Sequence, residues 1–240
     1  MKKIIKLLIP LKLINYLRRI KSKFFPDYSI KSYSQEGEDM ILRRLFEKKV
    51  SGFYIDVGAH HPFRFSNTFI FYKQGWRGIN IDAMPGSMKI FQKKRPRDIN
   101  LEIPIGNNNS MLTYYCFNEP ALNGFSQKLS MERDGKEGFY IEKKILLQNR
   151  TLDSVLDMYL PYETKIDFMS IDVEGLDLDV LRSNDWLKYR PIIILIEILN
   201  SELAEIESSE IAVFLKSNGY SIFSKAVHTV FFLDKKANLK

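Results

Sequence analysis

From Ser34 onward the chain alternates short apolar runs with stretches of helical spacing. FYIDV (53–57), GINID (78–82), INLEIPI (99–105), IDFMSIDV (166–173) and IIILIEI (192–198) are apolar on both faces, the pattern of strands buried in a parallel sheet. Between them, 66–74, 86–95, 151–159 and 176–183 carry helical spacing. Strand and helix in alternation predict an α/β domain, a mostly parallel sheet with helices on both faces. Near the C-terminus the pattern changes to a helix over Ser208–Asn218 stopped by Gly219, then two β-rich runs, YSIFSKAV (220–227) and HTVFFLD (228–234). So few residues separate these runs that they are expected to pair antiparallel. The segment 106–150 is less regular, with strand-like TYYCF (113–117) and a polar stretch through MERDGKEG (131–138), and reads as an insertion or lid.

Composition and charge change this picture at one end. The 240 residues are 45% hydrophobic and 27% charged, which excludes a collagenous, low-complexity or wholly disordered chain. The single cysteine, Cys116, excludes an intramolecular disulfide framework and a cysteine-rich zinc site and fits a reducing compartment. Of 36 basic and 29 acidic residues, nine and one fall within residues 1–31, leaving 27 and 28 for residues 32–240. A basic arm, 1–31, thus precedes a neutral single domain, 32–240.

Within the arm, Leu13, Ile14, Leu17, Ile20 and Phe24 share one side of a helical projection and Lys12, Arg18, Arg19 and Lys23 the other. Pro10 suits the first turn and Pro26 the stop. Lys6, Pro10 and Lys12 interrupt the apolar run needed for a secretory signal or a membrane span. Two readings remain: residues 1–26 lie on an anionic membrane surface, or the helix docks on protein. The first gives a cytoplasmic protein, peripheral on the inner face of the cell membrane. Nucleic acid is not expected, because the aromatic residues are not interleaved with the basic ones.

Four acids end apolar strand runs: Asp56, Asp82, Asp172 and Glu197. The carboxyl ends of the strands in an open α/β sheet form the ligand crevice, so these side chains are expected to converge. The first turn, DVGAHHPFRFSNT, has Gly58 but lacks the later glycines that let a backbone approach a pyrophosphate. Asp82 follows Gly58 by 24 residues, where an acid accepts hydrogen bonds from ribose hydroxyls. A nucleoside without a phosphate to cradle points to S-adenosylmethionine.

SQEGED (34–39), YIDVGAHHP (54–62), GWRGINIDAMPGSM (75–88), TLDSVL (151–156), IDFMSIDVEGLD (166–177) and RPIIILIE (190–197) together resemble the FkbM-type family of S-adenosylmethionine-dependent methyltransferases, over roughly residues 32–234. The resemblance implies a Rossmann-like class I methyltransferase fold and O-methylation of a sugar or polyketide hydroxyl, often in surface-polysaccharide biosynthesis. It places Asp56, Gly58 and Ala59 along the methionine and ribose side of the cofactor and Asp82 with Ala83 at the ribose, with His60, Ser66 and Asn67 as further contacts. The chain departs from the common pattern at Pro62, where many members carry Gly, and at Asp82-Ala83, where many have Glu-Pro.

Methyl transfer to a hydroxyl requires in-line alignment and a base or metal to take up the proton. The candidates are His60, His61, Asp172, Glu174, Glu197 and His228, with a loop histidine, His60 or His61, preferred and His228 expected to be an isolated surface residue. Asp172 and Glu197 are placed to share a hard cation such as Mg²⁺; the alternative is that each accepts hydrogen bonds from the cofactor's amino group or from backbone N–H. Glu119 and Asn123, in FNEPALNGF (117–125), offer polar groups to a polyhydroxylated sugar or glycan acceptor, as does Glu174. Ser34, Gln35 and Asp39 are expected to cap a helix over Met40–Phe46. A competing function is a non-catalytic membrane-surface adaptor that retains the methyltransferase fold.

Overall fold

The computed structural model describes residues 28–199 and 202–237, together with Ile20. The helix expected from Leu11 to Phe24 lies, apart from Ile20, outside the described residues, as does the membrane-binding surface assigned to residues 1–26. The chain divides into two units, Met1–Lys31 and Ser32–Lys240; all elements below belong to the second. Among the described residues no helix is long and apolar enough to cross a membrane.

The strands in chain order are β1 (Phe53–Val57), β2 (Arg77–Asp82), β3 (Ile99–Glu102), β4 (Met111–Phe117), β5 (Ile141–Gln148), β6 (Phe168–Ile171), β7 (Ile193–Glu197), β8 (Tyr220–Lys225) and β9 (Thr229–Asp234). The helices are α1 (Glu38–Leu45), α2 (Phe69–Lys73), α3 (Met88–Lys94), α4 (Gln127–Arg133), α5 (Leu152–Tyr159), α6 (Asp177–Arg182), α7 (Leu203–Ile206) and α8 (Glu210–Ser217). Seven strands form one sheet in the order β3-β2-β1-β6-β7-β9-β8. β3, β2, β1, β6 and β7 are mutually parallel; β9 runs antiparallel to β7 and β8 antiparallel to β9. This is the Rossmann-like, mostly parallel sheet with a C-terminal antiparallel pair.

The pleat explains why these runs are apolar throughout. Ile55, Val57, Ile79, Ile81, Met169, Ile171, Ile194 and Ile196 face one layer, where Leu152, Val155, Val180 and Leu215 cover them. Tyr54, Phe168, Ile193 and Leu195 face the other, beneath Leu42, Phe46, Ile70, Phe71 and Trp76. Each large side chain buried this fully contributes about 1.5–3 kcal/mol. Trp76 and Trp186 are both core residues, and Cys116 is buried and free.

Several boundaries differ from the sequence reading. INLEIPI forms a strand only to Glu102, since Pro104 has no N–H for a ladder; Ile105 makes an isolated bridge to Arg150 instead. The helix expected from residue 66 begins at Phe69, because the Thr68 hydroxyl donates to Asp56 (2.8 Å) while Ser66 Oγ accepts the Phe69 N–H (3.1 Å). α1 starts at Glu38 behind a left-handed Gly37 with no side-chain cap. Asp39 instead accepts from Ser32 Oγ, the Tyr33 N–H and Ser34 Oγ. The start of MERDGKEG is the end of α4, which Ser126 caps by accepting the Leu129 N–H. The segment 106–150 thus holds an antiparallel ribbon, β4 with β5, a 3-10 turn at Pro120–Leu122, and α4.

Candidate active site

Chain order reverses between β1 and β6: β1 leads outward through β2 to β3, and β6 leads the other way to β7. The crevice opens at such a switch point, above the carboxyl ends. At its base β1 and β6 approach so closely that a Cβ on Gly58 would lie 1.7 Å from the Asp172 carbonyl oxygen, and Gly58 has φ +86°. No other residue fits there. A cavity of about 360 Å³ rises from this point.

One side of the cavity is apolar, lined by Val57, Ile81, Ala83, Ile103, Ile105 and Tyr114. Asp82 stands among them at the end of β2. Its Oδ2 accepts the His60 N–H (2.9 Å) and its Oδ1 the Met84 N–H (2.8 Å), which fixes the carboxylate and leaves further lone pairs for a ligand. Burial raises its pKa against these two N–H groups.

The other side is acidic. The carboxylate oxygens of Asp172, Glu174 and Glu197 lie within 4.8 Å of one another. Glu174 is held by Arg133 Nη1 from α4 at 2.7 Å, whereas Asp172 and Glu197 accept no hydrogen bond among the described residues. Asp172 opens onto the cavity solvent but is ringed by protein. That surrounding, then the Glu197 charge, pushes its pKa well above the usual carboxylate range. Glu197 is likewise raised, by burial first and by Glu174 next.

Three residues lining the cavity other than glycine, His60 (φ 49°), Phe65 (φ 56°) and Glu174 (φ 55°), adopt the left-handed backbone conformation, a strain that persists where surrounding structure imposes it. The His60 ring stacks on Phe65, with centroids 6.3 Å apart. Burial lowers the His60 pKa, against the opposing pull of Asp82, so the imidazole is neutral at pH 7. Segment 106–150 closes the cavity through Tyr114, Pro120–Phe125 and Arg133. A Cβ on Gly124 would lie 2.9 Å from the Glu174 Cβ, so the segment can sit this close only as glycine.

With this geometry the sequence matches the family described as the methyltransferase FkbM domain, over residues 56–222. The chain belongs to the FkbM methyltransferase family. It is also similar to the crystal structure of methyltransferase FkbM from Methylobacillus flagellatus KT, with a TM-score of 0.46, 13% identity and 76% of this chain covered. The chain spans 43% of that protein's length. An O-methyltransferase from Bacillus cereus in complex with SAH gives a TM-score of 0.38 and 11% identity over 96% of this chain and 94% of that one. No curated protein matches the chain.

In this FkbM methyltransferase the cavity gathers Gly58, His60, Asp82, Ala83, Asn123, Asp172, Glu174 and Glu197 from the candidates expected on sequence. Asn123 is oriented by accepting the Phe117 N–H at 2.7 Å. Six candidates are placed elsewhere, and the readings that put them on ligands are corrected accordingly. Asp56 shares the Tyr54 face of β1, so its carboxylate meets Thr68 under the helices rather than the cavity. Ser66 points into the same buried layer, within 3.4 Å of Arg95 Nη1. Ala59 packs on Met88 and Phe91. His61 Nδ1 accepts the N–H groups of Phe63 and Arg64, so the ring ties its own turn. Glu119 accepts the Ala121 N–H and faces Arg64, leaving Pro120 and Ala121 to line the cavity. Asn67 donates to Ser170 Oγ beneath the floor.

Other lining residues escaped the sequence reading. Gln35 belongs to the cavity rather than to a helix cap, because Glu36 is drawn to the start of β9 by the His228 N–H (2.7 Å) and Glu38 by Thr229 Oγ1 (3.0 Å). Those same bonds bring the half-buried His228 to the cavity wall, so it is not the isolated surface histidine expected. Phe65, Tyr114, Arg133 and Leu199 complete the wall. For Gln35 the signal was its place in SQEGED; Arg133 sits in a polar stretch without one.

Proposed function

We infer that the chain is an S-adenosylmethionine-dependent O-methyltransferase acting on a hydroxyl of a sugar or glycan in surface-polysaccharide biosynthesis. The observation that carries the cofactor is Asp82, held by two backbone N–H groups at the mouth of an apolar wall. That pairing suits ribose hydroxyls beside a base ring, and the family is one of methyltransferases.

S-adenosylmethionine supplies an electrophilic methyl group on a sulfonium. The protein binds the nucleoside through Asp82 and the apolar wall, with Gly58 permitting close approach. Asp172 and Glu197, which lack hydrogen-bond donors among the described residues, supply acceptors for the ligand's amino group and for acceptor hydroxyls. His60, neutral and facing the same space, takes the hydroxyl proton on an imidazole nitrogen. Segment 106–150 excludes water. The three carboxylates are hard oxygen donors of the type Mg²⁺ prefers, although Arg133 already engages Glu174; a magnesium-assisted variant assigns the ion to Asp172 and Glu197. The charge pattern of residues 1–26 supports attachment to an anionic membrane surface on the cytoplasmic side, tested by loss of anionic-liposome binding on deleting them.

Calorimetric titration of S-adenosylmethionine with and without Mg²⁺ tests the reading. Asp82→Ala is expected to weaken binding at least about 100-fold, the loss of two charge-assisted hydrogen bonds. Undiminished binding in Asp82→Ala removes the ribose assignment, and unchanged binding and turnover without Mg²⁺ removes the metal.

A further inference from the structure

A second space adjoins the cavity at the end of β7. Beyond Glu197 and Leu199, which line both spaces, a groove of about 340 Å³ runs between α4, the loop after β6 and the first turn of α8. Its walls are the aliphatic side chains of Leu129, Leu178, Ile198, Leu199 and Ile211. Leu178, Ile198 and Ile211 rest on the main core behind them, while Leu199 is 40% exposed.

Of the polar side chains along the groove, Asp177 and Ser209 are already committed, while Glu197 stands where the groove meets the cavity and Glu210, 3.9 Å from Arg182, is exposed to solvent. Asp177 accepts the N–H groups of Val173 and Gly175, both at 3.2 Å. Ser209 accepts the Ala212 N–H at 3.2 Å and donates to the Ile206 carbonyl at 2.7 Å. Among the described residues no Lys, Arg or His lines the groove. It therefore offers a phosphate no cation and a sugar few free partners, but it offers hydrocarbon a continuous surface to cover. Because Glu197 and Leu199 line both spaces, a molecule with its reacting group beside Glu197 has the groove within reach of its remainder.

Resting on the methyl-transfer reading above, we propose that the groove is an acceptor subsite for a linear hydrocarbon chain, acyl or isoprenoid. The acceptor is then an amphiphile: its polar end reaches the cavity and its chain lies along Leu178, Leu199 and Ile211.

The test uses the full chain with labelled Ile and Leu methyl groups and S-adenosylhomocysteine added, titrated with methyl, octyl and geranyl β-D-glucopyranoside below their micellar concentrations. The methyl signals of Leu178, Ile198 and Ile211 are expected to shift with the octyl and geranyl compounds and not with the methyl one. The chain-bearing compounds are expected to bind at least about tenfold more tightly, since one buried methylene is worth about fourfold. A response to only one of the two assigns the chain as acyl or isoprenoid. Ile211→Lys is expected to abolish the chain-length dependence, and the series on the unaltered protein stands whether or not that variant folds. Equal affinity for all three compounds, or shifts confined to exposed leucines elsewhere such as Leu187, overturns the subsite. Failure of S-adenosylhomocysteine to bind in calorimetry, with the chain-length dependence intact, overturns the methyl-transfer reading and leaves the groove.

Discussion

Two clusters of polar side chains sit on the same sheet, and they are finished differently. Under α2 and α3 the Arg95 guanidinium, fully buried, donates to Asp98 (2.8 Å), the Tyr54 hydroxyl (2.8 Å) and Thr68 Oγ1 (3.0 Å). Asp98 also accepts from Tyr54, the Gly78 N–H and Asn80, and Thr68 passes a hydrogen bond to Asp56. At the carboxyl ends of β6 and β7, Asp172 and Glu197 face each other with no donor among the described residues. A buried charge is tolerable when paired and hydrogen-bonded, and costly when it is not. The charges of the first cluster are therefore paired without a ligand, while in the second, which opens onto the cavity solvent, the carboxylates repel one another until a cation or a set of hydrogen-bond donors arrives.

The comparison breaks most visibly at Arg95. Arg95→Met leaves Asp98 and Asp56 uncompensated inside the protein and is expected to lower the unfolding free energy by about 3–5 kcal/mol, read from urea denaturation. A loss below about 1 kcal/mol would show that the network is not holding the sheet. The opposite behaviour is expected of Asp172→Asn: methyl transfer falls about 100-fold or more, yet the melting temperature does not drop, because a repelling carboxylate has been removed. A melting temperature that falls as in Arg95→Met would erase the distinction.

Protonation sharpens it further. The folded-state pKa values of Asp172 and Glu197 are raised, so both carboxylates bind protons more tightly folded than unfolded. The penalty of ionising them is absent at low pH and grows as pH rises through the raised values, so their contribution to stability falls over that window. A cationic ligand reverses this: affinity for S-adenosylmethionine is expected to rise about tenfold from pH 5 to pH 8, and affinity for uncharged-sulfur S-adenosylhomocysteine less. Equal pH dependence for the two would show that the carboxylates do not sense the sulfonium. Asp56, raised to about 6 by burial, should titrate without regard to either ligand. The smallest effect belongs to Arg133→Met, about 1 kcal/mol of stability for a partly buried ion pair. It also removes a cation that lowers the Glu197 pKa, so the Glu197 titration, followed by carboxyl NMR, is expected to move upward.

The contrast between Asp56 and Asp82 shows how far the sequence could be read. Both fall at the ends of apolar strand runs, and the family resemblance implies a cofactor contact for both. Asp56 lies one residue before the end of β1, on the face that carries Tyr54, while Asp82 closes β2 and turns into the crevice. A strand apolar on both faces has no period-2 signal, so the sequence could not say which face an internal acid takes. Arg133 was hidden for another reason. Its partner Glu174 is 41 residues away, and no local pattern ties a helix in an insertion to a loop after β6.

Local patterns did determine much of this protein: the parallel strands, the antiparallel C-terminal pair and the ordered motifs that mark an FkbM methyltransferase. They are legible because strand and helix periodicity, turn glycines and short motifs act over a few residues. Only the tertiary structure decided which acids form a closed network and which stand open. It also brought Gln35 and His228 together at one wall and left an apolar groove beyond Glu197. Those outcomes depend on the direction of the pleat, the chain reversal between β1 and β6, and contacts between segments far apart in sequence.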